Sequence, residues 1–251
     1  MSESSQRCAQ AGAATMERYG EDVGGIDVSY LNDDLAFGLP NGVGPEVTAM
    51  VESDTDLVVG CLDLNGMKTL AQELERQGVR DDITLVHPNT YDQQFVADAG
   101  DLFVGDYITS SFRPFEADAG DSGLQDYFDW MEETGAPLSE PAMVGWINAD
   151  LAYQGLLAAG EGFTRQSVID ATNQMTAYTA QGLIQPVDWS RQHNPPTEDD
   201  LTNAGAMDCQ PIVQVDADAQ FEVVGDPAAP FNCWPGDTRD WSEPTSESFD
   251  E

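Results

Sequence analysis

The chain has 251 residues, and its 46 Asp and Glu against 9 Lys and Arg give a formal net charge of −37 at pH 7. Such a polyanion gains nothing from counterion release on phosphate backbones, and the few arginines with the single lysine Lys68 build no basic patch, so nucleic-acid partners and anionic membrane surfaces are excluded. Hydrophobic residues at 41% suffice for a packed core, the length allows one or two domains, and the charge points to a saline setting that screens self-repulsion.

Residues 9–19 are Ala-rich and stop at Gly20, which predicts a helix. Next, Ile26, Val28 and Tyr30 alternate with polar residues as a half-buried strand would. Pro45–Glu52 reads as a short helix with proline in its first turn. Asp56–Cys61 is a continuous apolar run, the pattern of a parallel-sheet strand covered on both faces. Leu64, Met67, Leu70, Ala71 and Leu74 then recur at helical spacing up to Gly78. Ile83–Val86 predicts a second buried strand, Gln93–Ala99 a short helix and Leu102–Thr109 a third strand. This alternation is that of a doubly wound α/β layer.

Past residue 112 the pattern changes. Phe112–Gly123 reads as an acidic Gly- and Pro-containing linker, followed by helices over Gly123–Thr134 and Pro141–Ala159, the latter with Val144, Ile147, Leu151 and Leu156 inward. Thr164 caps a third helix, Arg165–Tyr178, with Val168, Ile169, Thr172 and Met175 inward. Pro211–Val215 and Gln220–Val224 around the turn Asp216–Ala219 predict a hairpin. Residues 237–251 carry too little apolar surface to offset ordering entropy and are expected to be disordered.

Four cysteines without a CxxC spacing suit two disulfides of an exported protein better than a zinc site, buried free thiols being the alternative. Cys209 and Cys233 flank the hairpin, and Cys8 meets Cys61 if the opening helix packs on the strand ending there. His87 and His193 stand at no ligand spacing from a cysteine, so no metal and no cofactor is expected. No run of about 18 apolar residues is present, and the opening residues lack the apolar core of a signal peptide, which taken alone points to the cytoplasm.

Gly120-Asp121-Ser122-Gly123 matches the nucleophile motif of trypsin-like proteases, but it sits in an acidic linker of an α/β chain without a positioned base, and it is read as accidental. GxSxG, Walker and GxGxxG loops are missing, so no catalytic residue is assigned. The pairs Asp33-Asp34, Asp81-Asp82 and Asp199-Asp200 fit no calcium loop and read as solvated surface. In open α/β sheets ligands bind beyond the carboxyl ends of the strands. The two loops there offer Asp63 and Asn65 after one strand, and Asn89, Thr90 and Tyr91 after the next, as candidate ligand-binding residues. The competing reading is that Asp63 only caps a helix and Asn89 only a turn.

This order of elements resembles the type I periplasmic binding proteins, in particular the substrate-binding components of branched-chain amino acid ABC transporters. The likeness rests on DLVVGCLDLNGMKTLAQELERQGV, WINADLAYQGLLAAG and TRQSVIDATNQMTAYTAQGLIQPVDW, and runs over residues 9–234. It implies a periplasmic-binding-protein-like α/β fold: one Rossmann-like lobe with a parallel sheet over residues 1–115, a linker and helices of an incomplete lobe over 116–190, closing strands and hairpin over 191–236, and the acidic tail. It further implies that the chain starts inside the first helix of the second lobe, without the first lobe's sheet, export signal or lipobox. Amino acid binders of the family place an acid after the strand equivalent to Ile83–Val86, where Asn89 stands here, which disfavours a buried ammonium at that point.

The expected function is an extracytoplasmic solute-binding protein that presents a small-molecule ligand, an amino acid, amide or short carboxylate, to an ABC permease. It would do no chemistry, would not insert in the membrane, and with half of the ligand contacts missing would bind weakly. The alternatives are a ligand-sensing domain of a receptor or regulator, distinguished by gene context, and a Rossmann-like enzyme, distinguished by turnover.

Overall fold

The computed structural model describes residues 3–21, 24–36, 38–190, 192 and 209–233. His193, the pair Asp199-Asp200 and the tail from 237 lie outside the described residues. The chain falls into two compact units, one running to Ser110 and taking in Ile212–Val224, the other comprising Ser111–Pro211 and resuming at Gly225.

The first unit holds helices α1 (Glu3–Tyr19), α2 (Gly44–Glu52), α3 (Leu64–Gln77) and α4 (Gln93–Ala99) and strands β1 (Leu57–Val59), β2 (Thr84–His87) and β3 (Tyr107–Thr109). Strand β4 (Cys209–Val215) enters it from the second unit and returns as β5 (Phe221–Val223). The sheet order is β1-β2-β3-β4-β5. β1–β2 and β2–β3 are parallel, with Val59 beside Val86 and Val86 beside Tyr107, whereas β3–β4 and β4–β5 are antiparallel, with Ile108 beside Val213 and Val213 beside Val223. Parallel neighbours need crossovers, and α3 and α4 supply them.

Met67, Leu70 and Leu74 of α3, Val96, Phe103, Leu85, Ile108 and Val213 are buried in this unit's core. α3 ends because Gly78 turns left-handed at φ 74°, which a side chain would strain. Gly60 permits close packing, since a Cβ there would lie 2.2 Å from the Met67 sulfur.

Three expectations need correction here. The segment Ile26–Tyr30 forms no strand, although its alternation reads as one. β1 is an edge strand, not one covered on both faces: Leu57 and Val59 are 49% and 53% exposed. The third strand covers only Tyr107–Thr109, because Gly100–Phe103 closes a 3-10 turn before it.

The second unit contains α5 (Leu124–Thr134), α6 (Glu140–Ala159) and α7 (Arg165–Thr172), and a short ladder in which Cys209–Pro211 of β4 faces β6 (Phe231–Cys233). Phe112–Gly123 is packed structure instead of a linker. Phe112 is buried, and the buried Arg113 guanidinium donates to the carbonyls of Asp118 and Ala228. Phe115 stacks on Tyr127, which meets the Trp146 ring edge-on.

Thr164 caps α7 as predicted, in a reciprocal bond pair with Ser167. The helix stops at Thr172, short of Tyr178, which instead bridges Val187. α6 packs on α7 where Gly155 admits Thr172. The stripe expected to be buried is not: Val144 and Leu156 are exposed, as are Tyr153, Leu157 and Phe163, and only Met143 and Gly155 of α6 are buried.

Two disulfides are formed, Cys8–Cys61 within the first unit and Cys209–Cys233 within the second. α1 buries no residue of its own, so the Cys8–Cys61 link is a main attachment of that helix.

Candidate functional site

Because β1 and β2 run parallel in register, the loops that follow them leave the same end of the sheet. The chain from Gly60 to Leu62 leads to Asp63, which occupies the N-cap of α3 in extended conformation. Its side chain makes no capping hydrogen bond, and Oδ1 is buried without an acceptor bond. The capping reading of Asp63 therefore fails, and its carboxylate is held beside the first turn of α3 with capacity to spare. Asn89, after β2, donates from Nδ2 to the Leu62 carbonyl at 3.3 Å and so ties the two loops together.

Asp63, Asn65 and Asn89 line one pocket of about 330 Å3 together with Leu62, Leu64 and Ser5. Ser5 escaped sequence reasoning. The signal was present, since Ser5 lies three residues before Cys8 on α1 and the disulfide brings that turn to Cys61.

Thr90 and Tyr91 are not on this rim. Thr90 is fully buried with its hydroxyl 3.2 Å from His87 Nδ1, and the Tyr91 ring, 4% exposed, stacks on Phe221 of β5 at 5.2 Å. Both side chains serve packing, because after the exposed Asn89 the chain turns these two consecutive residues inward.

Behind the pocket lies a buried polar network that the sequence did not reveal. His87 Nε2 is 3.0 Å from Asp106 Oδ2, whose other oxygen accepts from Leu85 N at 3.0 Å. The Arg80 guanidinium pairs with the same carboxylate at 2.6 Å and donates to the carbonyls of Leu102 and Ile83. Thr90, His87 and Asp106 thus form a hydroxyl–imidazole–carboxylate chain, but with exposures of 0%, 0% and 1% they offer a substrate no approach. The network braces the base of the β2 loop. Ser122 is likewise spent locally, its hydroxyl donating to the Ala119 carbonyl.

A second pocket of about 480 Å3, lined by Arg80, Asp81, Asp101 and Asp106 among others, lies at the opposite, amino ends of the strands. It is larger, but the Arg80 charge is already compensated by Asp106, and fold geometry favours the carboxyl ends. Among the described residues no group of three or more His, Cys, Asp or Glu is arranged to hold a metal ion, and no helix is long and apolar enough to cross a membrane.

Among curated proteins none matches the sequence. Solved structures do resemble the fold. A possible leucine/isoleucine/valine-binding protein from Rhodopirellula baltica is 15% identical with a TM-score of 0.59, over 85% of this chain and 54% of its own. A substrate-binding periplasmic protein from Ralstonia solanacearum is 16% identical with a TM-score of 0.60, over 85% and 57%. A leucine-, isoleucine-, valine-, threonine- and alanine-binding protein from Brucella ovis in closed conformation is 16% identical with a TM-score of 0.59, over 88% and 52%. The chain thus spans little more than half the length of these structures. The family model for periplasmic binding protein matches residues 4–219, most of the sequence and every residue that lines the pocket. The chain belongs to the periplasmic binding protein family.

Proposed function

We propose that this chain is a solute-binding component that captures a small polar metabolite outside the cytoplasm and delivers it to an ABC permease, without chemistry of its own. The observation that carries this reading is the pocket at the carboxyl ends of β1 and β2, in which Asp63 keeps a buried oxygen without a hydrogen bond. Its lining of one carboxylate, two carboxamides and one hydroxyl suits a ligand with N–H donors, an amino acid or an amide, better than an apolar one. Two disulfides support an oxidising compartment. The family is typically non-enzymatic, and the buried His87–Asp106 pair is closed to substrate.

Weak binding is the expectation for this pocket, on the order of millimolar, because only the four polar side chains of Asp63, Asn65, Asn89 and Ser5 line it. Amide resonances of the intact chain, titrated with amino acids, amides and short carboxylates, test the proposal. The signals of Asn65 and Asn89 are expected to shift with amine- or amide-bearing ligands, and Asp63→Asn to weaken that response at least about fivefold. Shifts confined to other regions, or unaffected by Asp63→Asn, would overturn the site.

A further inference from the structure

In the hairpin β4–β5, Asp216 N donates to the Gln220 carbonyl at 2.8 Å and Val224 N to that of Ile212 at 2.9 Å. In the two-residue period of an antiparallel pair, the N–H of Phe221 therefore points away from β4. Its acceptor is a side chain. Phe221 N donates at 3.2 Å to Oε1 of Gln93, the first residue of α4, and Gln93 Nε2 donates at 3.0 Å to the Ala219 carbonyl. One carboxamide thus spends both of its ends on the main chain of the hairpin, where a neighbouring strand would otherwise bond. Ala219 adds a reason for the clamp: its φ of 55° is left-handed, which a side chain disfavours and which persists only where the surroundings over-determine it. The Asp216 carboxylate helps by accepting from Asp218 N and Gln220 N at 2.8 Å each, and Gln220 Nε2 also donates to the Ala219 carbonyl, at 3.2 Å.

Gln93 stands four residues after Asn89 at the pocket rim, and the stretch between them has no slack. The Thr90 hydroxyl lies 3.2 Å from His87 Nδ1, Asp92 N donates to the Thr90 carbonyl at 2.8 Å, and the Tyr91 ring stacks on Phe221, the residue whose N–H Gln93 holds. Asn89's own bond to the Leu62 carbonyl, at 3.3 Å, is long and therefore weak. The rim is located by its anchors more than by that bond. We propose that Gln93 is a positioning residue of the pocket: its clamp on the hairpin β4–β5 holds the loop after β2, so that Asn89 reaches Leu62 and faces the ligand beside Asp63. The proposal rests on the reading of this pocket as the ligand site; Gln93 itself does not line it.

A positioning role separates from a merely structural one because the same sheet carries a second carboxamide of the same kind. Gln214 of β4 donates from Nε2 to the Gly105 carbonyl at 3.0 Å, and Gly105 lines the other pocket, at the amino ends of the strands. Gln93→Met keeps the length of the side chain and loses both bonds, leaving Phe221 N without this acceptor while the Ala219 carbonyl keeps Gln220. Gln214→Met loses one bond far from the rim. Each lowers stability, and only the first reaches Asn89. Ala219→Gly removes the disfavour of the left-handed turn, so added to Gln93→Met it restores stability without restoring the clamp.

The test is NMR spectroscopy of the intact chain, free and titrated in turn with glycine, L-alaninamide, acetamide and acetate, together with urea unfolding. In the free chain, Gln93→Met is expected to shift the Asn89 side-chain NH2 resonances and to speed amide exchange over residues 89–91 at least about tenfold. With ligand it weakens the response of Asn65 and Asn89 at least about fivefold, the loss that one ordinary hydrogen bond corresponds to. Gln93→Met with Ala219→Gly regains the urea midpoint and keeps both defects, and Gln214→Met lowers the midpoint and shows neither. Asn89 resonances that stay in place in Gln93→Met, that return in the double variant as the midpoint recovers, or that move equally in Gln214→Met would overturn the proposal, and the double variant decides the matter if the single one fails to fold. If Asn65 and Asn89 of the unsubstituted chain respond to none of the four compounds, the pocket reading falls and the binding role of Gln93 falls with it; a response that Gln93→Met leaves unchanged overturns the proposal alone.

Discussion

Asn89 donates to the carbonyl of Leu62 at 3.3 Å, joining two loops that lie 27 residues apart in sequence but leave adjacent parallel strands. The bond fixes the pocket rim from the β2 side while Asp63, next to Leu62, fixes it from the β1 side. Asn89→Ala is expected to cost about 1 kcal/mol, the ordinary worth of one such bond, seen as a lower urea midpoint with unchanged slope. Amides in both loops, not only in the mutated one, should exchange faster. A change confined to residues 88–91 would show that the tie does not couple the loops.

The buried carboxylate of Asp106 compensates Arg80, orients His87 and accepts from Leu85 N. Asp106→Ala strands the Arg80 charge in a site with few alternatives, and removal of one partner of a buried pair typically costs about 3–5 kcal/mol. The measurement is equilibrium unfolding in urea. Asp106→Asn keeps the shape and one acceptor and should lose less. A loss under about 1 kcal/mol for Asp106→Ala would mean that water reaches Arg80 and the pair is not a structural anchor.

Periodicity made the α3 helix legible, with its buried Met67, Leu70 and Leu74 and its glycine stop, because a 3.6-residue stripe needs only one surface to pack on. It misled where a second partner decides. Ile26, Val28 and Tyr30 alternate like a strand, but a strand exists only through a neighbour's hydrogen bonds, and none pairs there. The apolar run of β1 looks the same at a sheet edge as at its centre, so the exposure of Leu57 and Val59 was not readable. In α6 apolar residues lie on all sides, and spacing alone could not say which side stays uncovered. The pocket was half legible. The rule of strand carboxyl ends found Asp63, Asn65 and Asn89, whereas the inward turn of Thr90 and Tyr91 depends on His87 and Phe221, and Asp106 reaches His87 only through the parallel register.

Helix α1 buries no residue, and Cys8–Cys61 links it to the end of β1. The bond closes a span of 53 residues, against 24 for Cys209–Cys233. Cross-link entropy grows slowly with span, so each bond is worth about 3–4 kcal/mol and the first slightly more. Cys8→Ser with Cys61→Ser is expected to leave the sheet intact while α1 frays, read as rapid proteolysis around residues 3–19. It should also open the pocket on its Ser5 side. An α1 that stays protected without the bond would show that its contacts are stronger than its exposure indicates.

Burial, with the Asp150 carboxylate adding to it, raises the Tyr178 hydroxyl well above the usual tyrosine range; that hydroxyl lies 2.9 Å from the Ile147 carbonyl and 3.0 Å from Asp150 Oδ2. The folded state thus favours the neutral phenol. Its contribution is complete below the unfolded value of about 10 and is lost as pH rises from there toward the raised folded value. Stability should fall with pH above about 10, and Tyr178→Phe should flatten that decline while lowering stability at neutral pH by about 1 kcal/mol. Equal alkaline slopes for both proteins would assign the decline to other groups.

The last expectation concerns salt. With 46 acidic against 9 basic residues, most carboxylates have no cationic partner; the ion pairs among the described residues include Arg7–Glu3, Arg76–Glu73 and Arg80–Asp106. Arg80–Asp106 is buried and Arg7–Glu3 is exposed, so salt has little attraction to weaken and much repulsion to screen. Raising ionic strength from about 0.05 to 1 M shrinks the screening length from above 10 Å to about 3 Å, below most separations between surface charges. The urea midpoint should therefore rise steeply over that interval. Screening depends on ionic strength alone, whereas preferential exclusion ranks the anions, so chloride and sulfate compared at equal ionic strength separate the two causes. Coincident curves up to about 0.5 M establish repulsion as the cause; curves that already diverge at low salt, or a midpoint that does not move, would show that the acidic surface does not limit the stability of the fold.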